Sequence, residues 1–134
     1  MTLQKLAVLL VFASVVAVAQ SQPRTITILA DKDSRYKIDG KSSPTLTLKV
    51  GEEVRLVITA VKSKTQNRDG SVHGFALLRN KDLTKVPGWD LMLKPGTQEF
   101  VLRAPVEPGE YHVVCTVICS SGHEDMQMKV VVQA

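Results

Sequence analysis

The sequence predicts an all-β, Greek-key-like β-sandwich of about seven strands behind an apolar leader. Three observations carry that reading. Apolar and polar residues alternate with period two in several short runs, Pro-Gly pairs separate the runs, and no stretch after residue 20 has the three-turn amphipathic pattern that a βαβ crossover needs. With 134 residues the chain has room for about one domain.

Taken in order, Lys5 precedes an apolar stretch over 6–19, broken only by Ser14 and ending in Ala17-Val18-Ala19 before Gln20. At about 14 residues it falls short of the roughly 20 that a spanning helix requires, and small residues suit a cleavage site. Residues 1–19 therefore read as a signal peptide, with an N-terminal membrane anchor as the alternative. Either reading puts residues 20–134 outside the cytoplasm, periplasmic or secreted, with membrane contact only if the leader stays uncleaved. Beyond the leader, Leu46, Leu48 and Val50 alternate with Thr45, Thr47 and Lys49. After a tight reversal at Gly51-Glu52, Val54, Leu56, Ile58 and Ala60 alternate with Arg55, Val57, Thr59 and Val61. Further strands are predicted over 25–30, 73–78, 97–104, 111–116 and 127–132, punctuated at Pro87-Gly88, Pro95-Gly96 and Pro108-Gly109.

Hydrophobic residues make up 44% of the chain and charged residues 22%, which excludes a disordered or collagen-like polymer. The net charge of +4 becomes +3 without residues 1–19, which hold one lysine and no acid. No Lys/Arg run is dense enough for a nucleic-acid stripe, so nucleic acid is not an expected partner.

The chemistry is concentrated in residues 115–126. Cys115, Cys119, His123 and Met126 give two thiols, an imidazole and a thioether on one loop between two strands. Such soft and borderline donors suit copper far better than Ca²⁺, Mg²⁺ or Mn²⁺. The plain alternative is a disulfide, the usual fate of two cysteines in an exported chain. A Cys-x3-Cys bridge would leave His123 and Met126 unexplained and would close too short a loop to stabilise the fold much. A further ligand is expected from another loop at the same end, and His73, where the polar stretch 62–70 enters a strand, is the candidate. His112 alternates within a strand and reads as a surface or packing residue; Met92 and Met128 read as core filler. Glu124 and Asp125 are adjacent loop carboxylates with no reason to converge as an acid and base, so no enzymatic activity is expected. Trp89 reads as packing over a sandwich end, with an exposed electron relay as its other role.

The spacing Cys115-x3-Cys119-x3-His123-x2-Met126, with His73-x-Phe75 upstream and Pro108-Gly109-x-Tyr111-x3-Cys115 leading in, resembles the binuclear CuA domain of cytochrome c oxidase subunit II and nitrous oxide reductase, within the cupredoxin family. The resemblance spans roughly residues 44–133. It implies that Cys115 and Cys119 bridge two copper ions, that His73 and Met126 complete one, and that His123 and the main-chain carbonyl of Val117 complete the other. The family usually has Glu where this chain has Val117, a change that leaves a backbone ligand in place. The implied function is exported electron transfer with a redox protein as donor or acceptor.

Two thiolates set against a mixed-valence pair leave one net positive charge when oxidised and none when reduced, so burial favours the reduced form. Weak axial donors and hydrogen bonds to sulfur tune that bias. Two other functions use the same residues: copper storage or delivery, and a mononuclear cupredoxin with Cys119, His123, Met126 and His73 as ligands and Cys115 spare. The chain departs from oxidase subunit II in having one hydrophobic segment and no aromatic residue over 24–29, and its +3 charge does not match an acidic surface for a basic cytochrome.

Overall fold

The computed structural model describes residues 10–17 and 22–134. The expected signal peptide or anchor lies largely outside the described residues; its residues 10–17 are exposed and carry no helix or strand. Among the described residues no helix is long and apolar enough to cross a membrane.

Ten strands follow: β1 (Arg24–Ala30), β2 (Tyr36–Ile38), β3 (Lys41–Ser42), β4 (Thr45–Lys49), β5 (Glu53–Ala60), β6 (His73–Arg79), β7 (Lys85–Leu93), β8 (Gly96–Arg103), β9 (Gly109–Val114) and β10 (Gln127–Gln133). They form two five-stranded sheets in the orders β3-β2-β1-β5-β8 and β4-β10-β9-β6-β7. Both sheets are mixed, since β1 runs parallel to β5 and β10 parallel to β4. The predicted all-β sandwich is therefore what the chain forms.

Period-two alternation fixes which face of each strand is buried. Val54, Leu56, Ile58 and Ala60 of β5 point inward, as do Leu46 and Leu48 of β4 and Met128, Val130 and Val132 of β10. Leu48, Leu56 and Ile28 are fully enclosed, and each contributes on the order of 2 kcal/mol by leaving water. In the corner before β9, the Tyr111 hydroxyl donates to the Glu107 carbonyl at 2.7 Å, which ties Pro108-Gly109 into a fixed bend.

Three expectations need correction. The strand count rises from about seven to ten. Two additions, β2 and β3, are too short to show a period; the third, β7, runs straight through Pro87-Gly88, which had read as punctuation. It can do so because β7 is an edge strand: Pro87 has no ladder bond to lose, and Gly88, at φ 84°, takes up the irregularity where the β6–β7 register shifts. Met92 is not core filler. It lies on the outer phase of β7, between buried Leu91 and Leu93, and is 45% exposed. Trp89 lies on the inner phase and is fully buried, its indole N–H donating to the Arg103 carbonyl at 2.9 Å. Arg103 pairs with Glu53, at the end of β5 away from Ala60, so the indole is no exposed relay.

Candidate metal centre

Residues 115–126 leave β9 and return as β10, and the antiparallel pairing of Val114 with Gln127 sets the neck of the loop. The amide of Cys115 donates to the Met126 carbonyl at 3.3 Å, one step beyond the ladder. Inside the loop, the His123 amide donates to Ser120, that of Asp125 to Gly122 and that of Met126 to His123, forming a tight 3-10 turn over His123–Asp125 that brings the chain back. A second loop straps it from outside. The amides of Lys64 and Thr65 both donate to the Cys119 carbonyl, at 3.0 and 3.1 Å, and the Thr65 hydroxyl donates to the Ile118 carbonyl.

Within this frame the ligating atoms of His73, Cys115 and Cys119 lie within 4.8 Å of one another, all buried. Both cysteines are free thiols with their sulfurs 3.7 Å apart. The Cys115 sulfur lies 3.1 Å from the Val117 carbonyl oxygen and accepts the Gly74 N–H at 3.3 Å. The Cys119 sulfur is 3.5 Å from the hydroxyl of Ser34, which also bonds the Ser120 and Ser63 hydroxyls at 2.6 and 3.3 Å. Val117 and Met126 are buried in the same loop. His123 is half-buried and stands outside the three-residue cluster, its Nδ1 3.2 Å from the Ser120 carbonyl. His112 is apart from the loop, mid-strand in β9, against Asn80.

The imidazole of His73 has a defined tautomer. Its Nε2 is 2.7 Å from the Val61 carbonyl, and a carbonyl can only accept, so Nε2 carries the proton. That leaves Nδ1 with a lone pair, and this atom is buried without any hydrogen-bond partner. Burial pulls the imidazole below its ordinary value, partly offset by the Val61 carbonyl, so the ring is neutral at neutral pH. An orphaned buried acceptor costs about 1–3 kcal/mol. An electrophile beside it would remove that cost, and the donor set of one imidazole nitrogen and two sulfurs fits a soft or borderline metal ion.

Burial also pushes the Cys115 thiol up to about 11, with the neighbouring Cys119 sulfur adding to the effect and the Gly74 N–H opposing it. The thiol therefore titrates later in the folded state than its ordinary value of 9.0. Stability from this group is complete below pH 9.0 and is lost as pH rises towards 11. Cys115 is expected to account for a loss of at most about 2–3 kcal/mol across that interval in the metal-free protein. Urea unfolding at pH 8 and pH 11 measures this together with the loss from buried Tyr36, whose hydroxyl is also pushed up by burial, and Cys115→Ala should remove the Cys115 share alone.

Four residues that the sequence did not single out build this site. The Val61 carbonyl sets the tautomer of His73. Ser34, buried with φ 59°, reaches the Cys119 sulfur from the turn after β1. Tyr36 donates its hydroxyl to the Gly74 carbonyl at 2.5 Å and packs edge-on against Phe75. Gly74 matters most, because a Cβ there would lie 2.2 Å from Thr116 Oγ1 and 2.6 Å from Thr116 N. A glycine inside a strand often marks such a close approach of two backbones, and that was the available signal.

The architecture matches solved structures well beyond chance similarity. The fold is that of the cupredoxins. A chain of a heme-copper terminal oxidase dimer superposes with a TM-score of 0.55 at 20% identity, covering 90% of this chain and 78% of that one. Auracyanin B gives 0.54 at 22% identity over 87% and 94% of the two chains, and reduced rusticyanin 0.51 at 19% over 84% and 82%. No protein-family model matches the sequence, and no curated protein matches it.

Proposed function

We propose that this protein is an exported copper-binding electron carrier of the CuA type. One observation carries the reading: the His73 imidazole, whose Nδ1 is buried and partnerless, shares a buried cluster with two thiols whose sulfurs are 3.7 Å apart. Cys115 and Cys119 would hold two copper ions between them. His73 with Met126, and His123 with the Val117 carbonyl, would complete the set. When bound, the copper pair supplies a one-electron couple shared over two metals, which spreads the geometric change of electron transfer over several bonds.

The chain's own residues do the rest. The Val61 carbonyl holds the proton of His73 on Nε2 and so keeps Nδ1 free. The Gly74 N–H and the Ser34 hydroxyl meet the two sulfurs, and such contacts to a thiolate favour the reduced state. The strap from Lys64 and Thr65 fixes the Cys119 carbonyl, which limits movement of the loop between oxidation states.

Two specific observations weigh against the other readings. A mononuclear site needs one thiolate, yet the second sulfur is buried beside the first with no other role. Delivery requires an incoming ligand to reach the ion, whereas His73, Cys119 and Met126 are fully enclosed. The leader over 1–19 and the resemblance to oxidase and reductase domains support export. A redox protein is the proposed partner.

The reading is tested by titrating fully reduced protein with copper at neutral pH. About two ions per chain are expected, with a seven-line hyperfine pattern from one unpaired electron shared by two equivalent copper nuclei. One ion with four lines would convert the assignment to a mononuclear cupredoxin, and no uptake would end it.

A further inference from the structure

We propose that the loop over residues 61–70 and the exposed Ile118 form a docking edge for an acidic redox protein. This deepens the CuA reading and rests on it. Ile118 lies between the two cysteines and is 68% exposed, while both thiols are buried. It is the apolar side chain that brings solvent-exposed surface nearest to the Cys119 sulfur along the chain. The strap from Lys64 and Thr65 clamps residues 61–70 onto the backbone of Ile118 and Cys119, so the charges of this loop are held against that patch.

Three of the loop's four charges are positive. Lys62, Lys64 and Arg68 are exposed, and among the described residues none takes part in an ion pair. The loop's single acid, Asp69, accepts from the Ser71 hydroxyl and amide at 2.6 and 2.9 Å, which holds it ionised and leaves the loop with two net positive charges. The carboxylates of Glu124 and Asp125 stand beyond His123, on the returning limb of the cysteine loop. Among the described residues elsewhere, six of the thirteen lysines and arginines are ion-paired, as in Arg24 with Glu52, Lys37 with Asp31 and Asp33, and Lys81 with Glu107, whereas all three in this loop are unpaired. Unpaired cations fixed around an apolar patch accelerate encounter with an acidic surface and slow it with a basic one. The partner is therefore an acidic carrier.

Small oxidants of opposite charge read this directly. Reduced, copper-loaded protein passes one electron to hexacyanoferrate(III), a trianion, or to tris(phenanthroline)cobalt(III), a trication, with no bond made or broken. At low ionic strength, Lys62→Glu/Lys64→Glu should slow the anionic reaction about ten-fold and speed the cationic one, and added salt should erase both changes. Lys41→Glu/Lys49→Glu alters net charge equally but lies away from the cysteine loop, and should change each rate less than about two-fold. Equal effects of the two double variants, or none from the first, would overturn the docking edge.

A copper-independent arm separates this failure from that of the CuA reading. Poly-L-glutamate added to reduced, metal-free protein should shift the amide resonances of Lys62, Lys64, Arg68 and Ile118. Shifts confined to other lysines would reject the docking edge whatever the copper titration gives.

Discussion

Cys119→Ser is expected to lower copper uptake from about two ions per chain to one at most, to weaken what remains by at least about a hundred-fold, and to abolish the seven-line spectrum. The magnitude has a floor, because loss of even an outer partner of a metal ligand costs about 10–100-fold in affinity, and Cys119 is proposed as a ligand to both ions. Serine keeps the shape of cysteine but offers a hydroxyl that stays protonated near neutral pH and is a poor donor to a soft ion. The fold should survive. Cys119 is fully enclosed, but the Ser34 hydroxyl is already at hydrogen-bond reach of that position and can satisfy a buried hydroxyl. The unfolding midpoint of the metal-free variant should therefore move by only a few degrees, about what 1 kcal/mol produces in a domain this size. Cys115→Ser should behave in the same way, since a bridge fails when either side is removed. A variant that keeps two ions and its seven lines would show that the two sulfurs do not act as a bridging pair.

Much of the scaffold was legible because its signals are local. The alternation of Val54, Leu56, Ile58 and Ala60, and of Leu46 and Leu48, reports the inner face of a sheet within a few residues, and the turn at Gly51-Glu52 reports the reversal. What was not legible is long-range or depends on phase. The 3-residue β2 and 2-residue β3 are shorter than any period can reveal. Met92 faces outward, against expectation, because the irregularity at Pro87-Gly88 decides which residues of β7 face inward, whereas Trp89 packs inside as expected. Around the candidate metal centre, the soft donors of residues 115–126 could be read from composition and spacing. Their supports could not. Ser34 and Cys119 are 85 positions apart and meet across the two sheets, and Gly74 and Cys115 are 41 apart and meet through the pairing of β6 with β9, so neither contact exists before the fold does.

The close approach of β6 to the segment that follows β9 makes Gly74→Ala the most damaging single-methyl change expected in the molecule. The glycine lies in the middle strand of its sheet region, between β7 and β9, and its added Cβ meets the Thr116 backbone nitrogen at 2.6 Å as well as the Thr116 hydroxyl at 2.2 Å. A side chain can rotate away; a backbone amide cannot. Relief therefore requires β6 to separate from the segment that carries Cys115, which stretches the Gly74 N–H contact to the Cys115 sulfur and the Tyr36 bond to the Gly74 carbonyl. Overpacking of this kind costs about 1–3 kcal/mol, and loss of the two contacts places the expected value near the upper end. Thermal unfolding of the metal-free protein should fall by roughly 10 °C or more, and copper uptake should weaken alongside it because His73 and Cys115 shift relative to one another. The second variant identifies the cause. Thr116→Ala removes only the side-chain clash, so Gly74→Ala/Thr116→Ala should recover a minor part of the lost stability, while full recovery would show that the two backbones are not in close contact at this point.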